Sequence, residues 1–213
     1  MMDTNGILAW EFDYGSTAEC ERLYKDSSRG VINYLLSGNS PYLLGELDFQ
    51  GQETWNHCIN IPANGIDPNF ALVPLADGEF LIGSTVDLSY GPEFIYLAKM
   101  GASGSIAWQS QFRPSPSFNW FLGAVHEHVD GSFFIAGTTG SGPYYSSDAF
   151  LARLDSEGRL DWVRVFDSDN YAEYGKDLVI LDDMVILLGY QDGNVTDTPL
   201  AIRVGFDGNL IFE

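Results

Sequence analysis

Short apolar runs separated by turn residues follow one another along most of this chain. Asp77-Gly78 precedes the run Phe80-Leu81-Ile82, and Asp130-Gly131 precedes Phe133-Phe134-Ile135 at the same spacing. An Asp-Gly turn followed by a short apolar run is typical of a β-hairpin. The pattern therefore predicts an all-β chain made of short antiparallel strands.

Helical signals are almost missing from the sequence. The exception is Ser16-Thr17-Ala18-Glu19, which has the spacing of a capping box at a helix N-terminus. It leaves a short helix at Ala18–Lys25 as an alternative. We favour a strand there, because the repeat described next requires one.

A second pattern occurs five times: a glycine followed four residues later by an aromatic residue. An Asp-x-x-Gly segment supplies the positive-φ position that a tight strand reversal needs, and the aromatic then lies inside the returning strand, where we expect it to pack between repeat units. The glycines lie 45, 53, 54 and 50 residues apart, which is the length of a propeller blade. They are Gly6, Gly51, Gly104, Gly158 and Gly208, followed by Trp10, Trp55, Trp108, Trp162 and Phe212.

Each repeat contains four strand signals, which we name A, B, C and D. For the third unit these are Leu122–Val129, Ser132–Gly137, Ala149–Leu154 and Leu160–Phe166. Such a unit cannot bury both of its faces alone, and radial stacking leaves only short protected edges. The prediction is a single domain, residues 1–213, forming a β-propeller of about four four-stranded blades.

Ring closure is open at this point, because the sequence has four sets of A, B and C strands but five D-type segments. In the first explanation Ile7–Asp13 supplies the outer strand of the last blade and the chain is a monomer. In the second the chain is part of a larger propeller. In the third two chains share one ring. We favour the monomer.

Thirty acidic against ten basic residues give a net charge of −20. This charge repels nucleic acid and anionic lipid, which makes both poor partners. No stretch is long and apolar enough for membrane insertion, and the start of the chain has no signal-peptide pattern. Cys20 and Cys58 are too few for a disulfide framework, and their redox state is open.

In a propeller the D-to-A and B-to-C loops share one face, which commonly holds any ligand. Here these loops are rich in tyrosine and acids, and aromatic faces beside carboxylates suit sugar rings. The alternative is that they are ordinary polar loops. The candidate ligand-binding residues are Tyr14, Asp87, Tyr90, Trp120, Tyr144, Tyr145, Tyr171 and Tyr190.

Metal and catalytic signals are weaker. Asp167 and Asp169 offer alternating oxygen ligands of the kind calcium prefers, but the glycine and glutamate of an EF-hand loop are missing. We expect no cofactor, with calcium at these two residues as the alternative. His126 and His128 lie on one side of a strand, where packing is favoured over a metal pair. No catalytic residue is assigned.

The segment Ser147–Trp162 resembles the bacterial β-propeller repeat called the SBBP repeat. The resemblance lies in the sequence Asp-Ala-Phe-x-x-Arg-Leu-Asp-x-x-Gly of this segment. Pro199–Arg203 departs from that pattern. The Gly-to-Trp spacing is also similar to the docking motif of quinoprotein-type propellers, where it is structural. The resemblance implies a propeller, commonly secreted or on the cell surface, with no shared catalytic residue.

Two functions remain open on this sequence. The first is a non-enzymatic binding or scaffold propeller that takes a glycan or protein ligand through loop-face aromatics and acids. The second is a carbohydrate-active hydrolase or lyase that uses loop-face carboxylates. The second requires paired carboxylates, one with a raised pKa.

Overall fold

The computed structural model describes residues 19–26, 30–37, 42–59, 65–75, 78–87, 91–101, 103–140, 147–167, 171–193 and 196–211. Within these ranges the regular secondary structure is β-strand, and no helix occurs that could cross a membrane. The strands are β1 Glu19–Asp26, β2 Val31–Ser37, β3 Tyr42–Asp48, β4 Glu53–Ile59, β5 Gly65–Pro74, β6 Phe80–Asp87, β7 Phe94–Met100, β8 Ile106–Phe112, β9 Asn119–Glu127, β10 Phe133–Gly140, β11 Ser147–Leu154, β12 Leu160–Phe166, β13 Glu173–Ile180, β14 Met184–Gln191 and β15 Thr198–Gly205.

These strands form four antiparallel sheets in chain order. Sheet I is β1-β2-β3-β4, sheet II is β5-β6-β7-β8, sheet III is β9-β10-β11-β12, and sheet IV is β13-β14-β15. Each predicted repeat unit corresponds to one sheet, and the all-β prediction is confirmed. A strand, β1, spans residues 19–26, so the alternative of a helix at Ala18–Lys25 is wrong.

The Asp-x-x-Gly segments form the turns between third and fourth strands. The carboxylate of Asp155 accepts hydrogen bonds from the backbone N–H groups of Glu157 and Arg159, both at 2.9 Å. Gly158 has a φ of 76°, and its own N–H donates to the Asp155 carbonyl oxygen. The turn at Asp48 is built in the same way. Aspartate and glycine recur together because the aspartate carboxylate accepts hydrogen bonds from the N–H groups of the turn, while glycine adopts the positive φ that the turn requires.

Apolar cores lie between consecutive sheets, and among the described strands the principal packing contacts join sheet I with II, II with III, and III with IV. A few residues mark each core. They are Leu44, Ile82 and Met100 between sheets I and II; Leu97, Phe133 and Phe150 between II and III; and Phe134, Leu178 and Val204 between III and IV.

A tryptophan on the outer strand of one sheet lies on the hairpin glycine of the next sheet. A Cβ atom added to any of these glycines would stand 2.7–3.0 Å from the tryptophan ring. The pairs are Trp55 with Gly104, Trp108 with Gly158, and Trp162 with Gly208. The indole N–H groups of Trp108 and Trp162 also donate, at 3.0 Å, to the carbonyl oxygens of Ser156 and Phe206. The predicted packing of the repeated aromatic residue between units is confirmed for Trp55, Trp108 and Trp162, while Trp10 and Phe212 lie outside the described residues.

The last described residues turn back along β15 of sheet IV. Leu210 forms a β-bridge with Val204, and the backbone N–H of Ile211 donates to the carbonyl oxygen of Arg203 at 3.0 Å. Leu210 and Ile211 therefore lie at the outer edge of sheet IV, which is the edge that the first closure explanation gives to Ile7–Asp13. That N-terminal segment lies outside the described residues.

Candidate functional site

The connections β10 to β11, β12 to β13, and β14 to β15 lie at one end of sheets III and IV, which we call the loop face. The first strand of sheet IV approaches sheet III very closely at this end. A Cβ added to Gly175 would stand 2.4 Å from the carbonyl oxygen of Gly137, so only glycine allows this contact. The approach brings the beginning of β13 next to the beginning of β11.

Three carboxylates lie close enough at this junction to affect one another. Asp148 begins β11, Asp167 follows β12, and Glu173 begins β13. Burial raises the pKa of Asp148, and the negative charges of Asp167 and Glu173 raise it further. Glu173 is itself buried, at 2% exposure, and its carboxylate accepts a hydrogen bond of 2.9 Å from the side chain of Gln191.

A pair of tyrosines lies on the face of sheet IV opposite to Glu173. Tyr174 and Tyr190 stack with ring centroids 4.9 Å apart and an angle of 23° between their planes. The ammonium group of Lys176 lies 5.5 Å and 5.6 Å from the two ring centroids. Burial, together with the charges of Tyr174, Asp197 and Asp192, raises the pKa of Tyr190. The neutral phenol of Tyr190 is therefore retained over a wide pH range.

The structure places some of the sequence-predicted residues at this junction. Tyr171 precedes Glu173 and is 49% exposed, Tyr190 belongs to the stacked pair, and Asp167 is exposed. Asp87 is the last residue of β6 in sheet II. The other candidates, Tyr14, Tyr90, Tyr144, Tyr145 and Asp169, lie outside the described residues.

Trp120 has a different environment from the one the sequence suggested. It is 2% exposed, and its ring lies 5.4 Å from that of Phe112 and 5.1 Å from that of Phe150. Its indole N–H donates to the carbonyl oxygen of Ser115 at 3.1 Å. Trp120 is thus a core residue between sheets II and III, and a ligand on the surface would not reach its ring.

Sequence reasoning missed Asp148, Glu173, Tyr174 and Lys176. Each begins a strand or lies inside one, whereas the prediction selected loop residues. The signal that could have found them is alternation along β13, which puts Tyr174 and Lys176 on one side of the strand. The contact of Glu173 with Asp148 depends on how two sheets pack, and local sequence does not show it.

The two histidines do not converge on a shared site. The Nε2 atom of His126 lies 3.7 Å from a carboxylate oxygen of Asp177, whereas His128 packs 4.6 Å from the ring of Phe206 with its Nδ1 atom 2.9 Å from Asp130. Burial would raise the pKa of Asp130, but hydrogen bonds from Ser132 and the contact with His128 outweigh it and hold that pKa far below its ordinary value. Each histidine therefore contacts its own neighbouring side chains and not the other histidine.

Metal ligation has little support in the ranges that the structure describes. They contain no group of three histidine, cysteine, aspartate or glutamate side chains arranged to hold a metal ion. The calcium alternative involves Asp169, which lies outside these ranges, and it stays a prediction. Cys58 is a free, exposed thiol.

A groove of about 340 Å³ lies away from the loop-face carboxylates, between the outer strand of sheet II and the hairpin of sheet III. Gln109, Gln111 and Arg113 line one side, and Glu157 and Arg159 line the other. The guanidinium of Arg113 donates to the carbonyl oxygen of Pro116, and that of Arg159 pairs with Glu157. The charged groups of the groove are therefore already engaged by the chain.

Comparison with known proteins gives limited information about this chain. No family model matches it, and no curated protein matches it. One solved structure to which it is similar is described as "Crystal structure of the eukaryotic initiation factor", with 10% sequence identity and a TM-score of 0.34. The match covers 90% of this chain and 64% of that one, so the chain spans less than two thirds of the length of that structure.

Proposed function

We propose that this chain is a non-enzymatic binding or scaffold module of the β-propeller type that holds a carbohydrate on its loop face at sheets III and IV. The observation that carries the proposal is the exposed ring of Tyr171, which lies just before β13 at the loop face and follows the exposed Asp167 in the chain. An exposed aromatic ring can stack on the C–H face of a sugar, and carboxylate and amide groups can bind its hydroxyls.

Two features support the propeller part of the proposal. Each of sheets II and III buries both faces against its neighbours, and a ring would bury the remaining faces of sheets I and IV in the same manner. The sequence of Ser147–Trp162 also resembles the SBBP repeat, which would make the chain a bacterial extracellular or cell-surface protein. A larger ring and a two-chain ring are the alternatives to closure within one chain.

A glycan array tests the carbohydrate proposal. We expect Tyr171→Ala to weaken binding about tenfold, because it removes a stacking surface, and Tyr171→Phe to bind nearly as the unmodified protein does. Val129→Ala is the matched control, since Val129 is 98% exposed at the turn between β9 and β10, at the opposite end of the sheets. Failure to bind any glycan would exclude the carbohydrate and leave a protein-binding scaffold, and equal binding by Tyr171→Ala would exclude Tyr171 as the stacking surface.

A carbohydrate-active enzyme is the second candidate, and the raised pKa of Asp148 favours it. A raised pKa lets a carboxyl group keep its proton to a higher pH, which is what a general acid requires, and Asp167 or Glu173 could act as the partner carboxylate. The two roles need opposite ionisation states. Neighbouring carboxylates produce such a difference in pKa.

Release of reducing ends from a panel of polysaccharides tests this candidate. If the chain is a hydrolase of this kind, Asp148→Asn abolishes release, while Asp182→Asn at the exposed turn between β13 and β14 leaves it unchanged. The binding proposal predicts no release by any of these proteins. Activity that survives in Asp148→Asn would remove the assignment of Asp148 as the acid.

A further inference from the structure

Three side chains with polar groups lie in a row on the face of sheet I that packs against sheet II. Asn33 of β2 stands opposite Glu46 of β3, and Glu46 stands opposite Trp55 of β4. Residues that stand opposite each other on neighbouring strands project from the same face of a sheet. Leu44 lies two residues before Glu46 and belongs to the core that sheets I and II share, so the row is directed into that core.

The polar atoms of this row are buried. Asn33 is 0% exposed and Glu46 is 3% exposed. One carboxylate oxygen of Glu46 accepts a hydrogen bond of 2.7 Å from the hydroxyl of Thr54. In the part of the chain that the structure describes, the oxygen and nitrogen of the Asn33 amide and the indole nitrogen of Trp55 have no hydrogen-bond partner. Buried groups of this kind are nearly always bonded, either to protein or to ordered water.

The corresponding rows of sheets II and III are satisfied within the protein. They consist of Leu81, Lys99 and Trp108 in sheet II, and of Phe134, Arg153 and Trp162 in sheet III. Each has an apolar side chain in place of the amide, and a cation in place of the carboxylate that pairs with an acid of its own sheet. Each tryptophan donates to a backbone carbonyl oxygen of the next hairpin. The row of sheet I therefore needs a further partner that can both donate and accept hydrogen bonds.

We propose that ordered water is bound inside the junction of sheets I and II by the side-chain amide of Asn33 and the indole N–H of Trp55. Water suits both groups, because it accepts hydrogen bonds from N–H groups and donates them to carbonyl oxygens. A metal or ammonium cation does not suit them, because two of the three unpartnered atoms are nitrogen donors. The water site is separate from the glycan site proposed at sheets III and IV, so either proposal can fail without the other.

Magnetisation transfer from water, measured by NMR, tests the site on the unmodified protein. We expect nuclear Overhauser cross peaks at the water frequency for the side-chain amide protons of Asn33 and for the indole N–H of Trp55, with the sign of a bound water. The indole N–H of Trp162 is the matched control, because it donates to the carbonyl oxygen of Phe206 at 3.0 Å and should show no such peak. Absence of the peak from either Asn33 or Trp55 would overturn the proposal.

Asn33→Leu gives a second test, because leucine has a similar shape to asparagine and no polar atoms. If water is bound, the variant removes one of its partners, and we expect the melting temperature to fall by roughly 2–6 °C. If the Asn33 amide is instead buried without any partner, leucine removes an unfavourable group and the melting temperature rises. An increase in melting temperature would refute the water site.

Coupling between Asn33 and Trp55 makes the stability test specific. Trp55→Phe removes the indole N–H and keeps an aromatic ring next to Gly104. The losses in melting temperature caused by Asn33→Leu and Trp55→Phe should be less than additive in the double variant, because both changes act on the same bound water. Trp162→Phe is the control, since it breaks a bond to a backbone carbonyl in another junction and its loss should add to that of Asn33→Leu. Full additivity of Asn33→Leu with Trp55→Phe would contradict a water shared by the two side chains.

Discussion

The surroundings of Asp148 disfavour the ionised form of its carboxyl group. Burial and the charges of Asp167 and Glu173 raise its pKa in the folded chain above the ordinary value of 3.8. Between these two pKa values the folded chain binds more protons than the unfolded chain, so stability falls as the pH rises through this interval. The full cost is present above the folded-state pKa. Proteins retain such costs at ligand sites more often than elsewhere.

Asp148→Asn should therefore stabilise the protein at neutral pH, because asparagine has a similar shape and no charge. The gain should disappear below about pH 3.5, where the carboxyl is protonated in both the folded and unfolded chains. Urea unfolding of both proteins between about pH 3 and pH 8 measures it. Asp182→Asn, in an exposed turn, is the control with no expected gain. An equal gain at the acidic and neutral ends of this range would contradict the electrostatic explanation.

At the scale of strands and hairpins, the sequence carries most of the information. The strands predicted for the third unit correspond to β9–β12, and the last of them has identical bounds, residues 160–166. The reason is local: an Asp-x-x-Gly turn satisfies its own N–H groups, so the reversal does not depend on distant residues. Strand β1 is the instructive case, because the local capping signal indicated a helix while the repeat correctly required a strand.

The site is less predictable than the strands for the same reason. Tyr171 and Tyr190 could be selected from sequence because they lie in or beside loops. Trp120 follows a loop as well, but packing between Phe112 and Phe150 puts it in the core. Asp148 and Glu173 are 25 residues apart in sequence and come close together because sheets III and IV pack against each other. No local sequence pattern shows that contact.

At the scale of the whole molecule, two properties bear on assembly. The net charge of −20 repels other copies of the chain over about a Debye length of 8–10 Å, which opposes association at low ionic strength. The exposed outer strands still offer backbone groups that could pair with another chain. The exposed apolar side chains, among them Leu23, Val129 and Val165, belong to different sheets or to opposite ends of one sheet.

The chain should accordingly be a monomer in solution. Light scattering at low salt and at about 0.5 M salt, where the Debye length is under about 5 Å, should give the mass of one chain in both cases. A dimer at both salt concentrations would support the two-chain ring instead, provided that deletion of residues 1–13 restores the monomer with its sheets intact. A dimer that forms only at high salt and survives this deletion would point to pairing of exposed outer strands. That result would contradict the monomer prediction without supporting the two-chain ring.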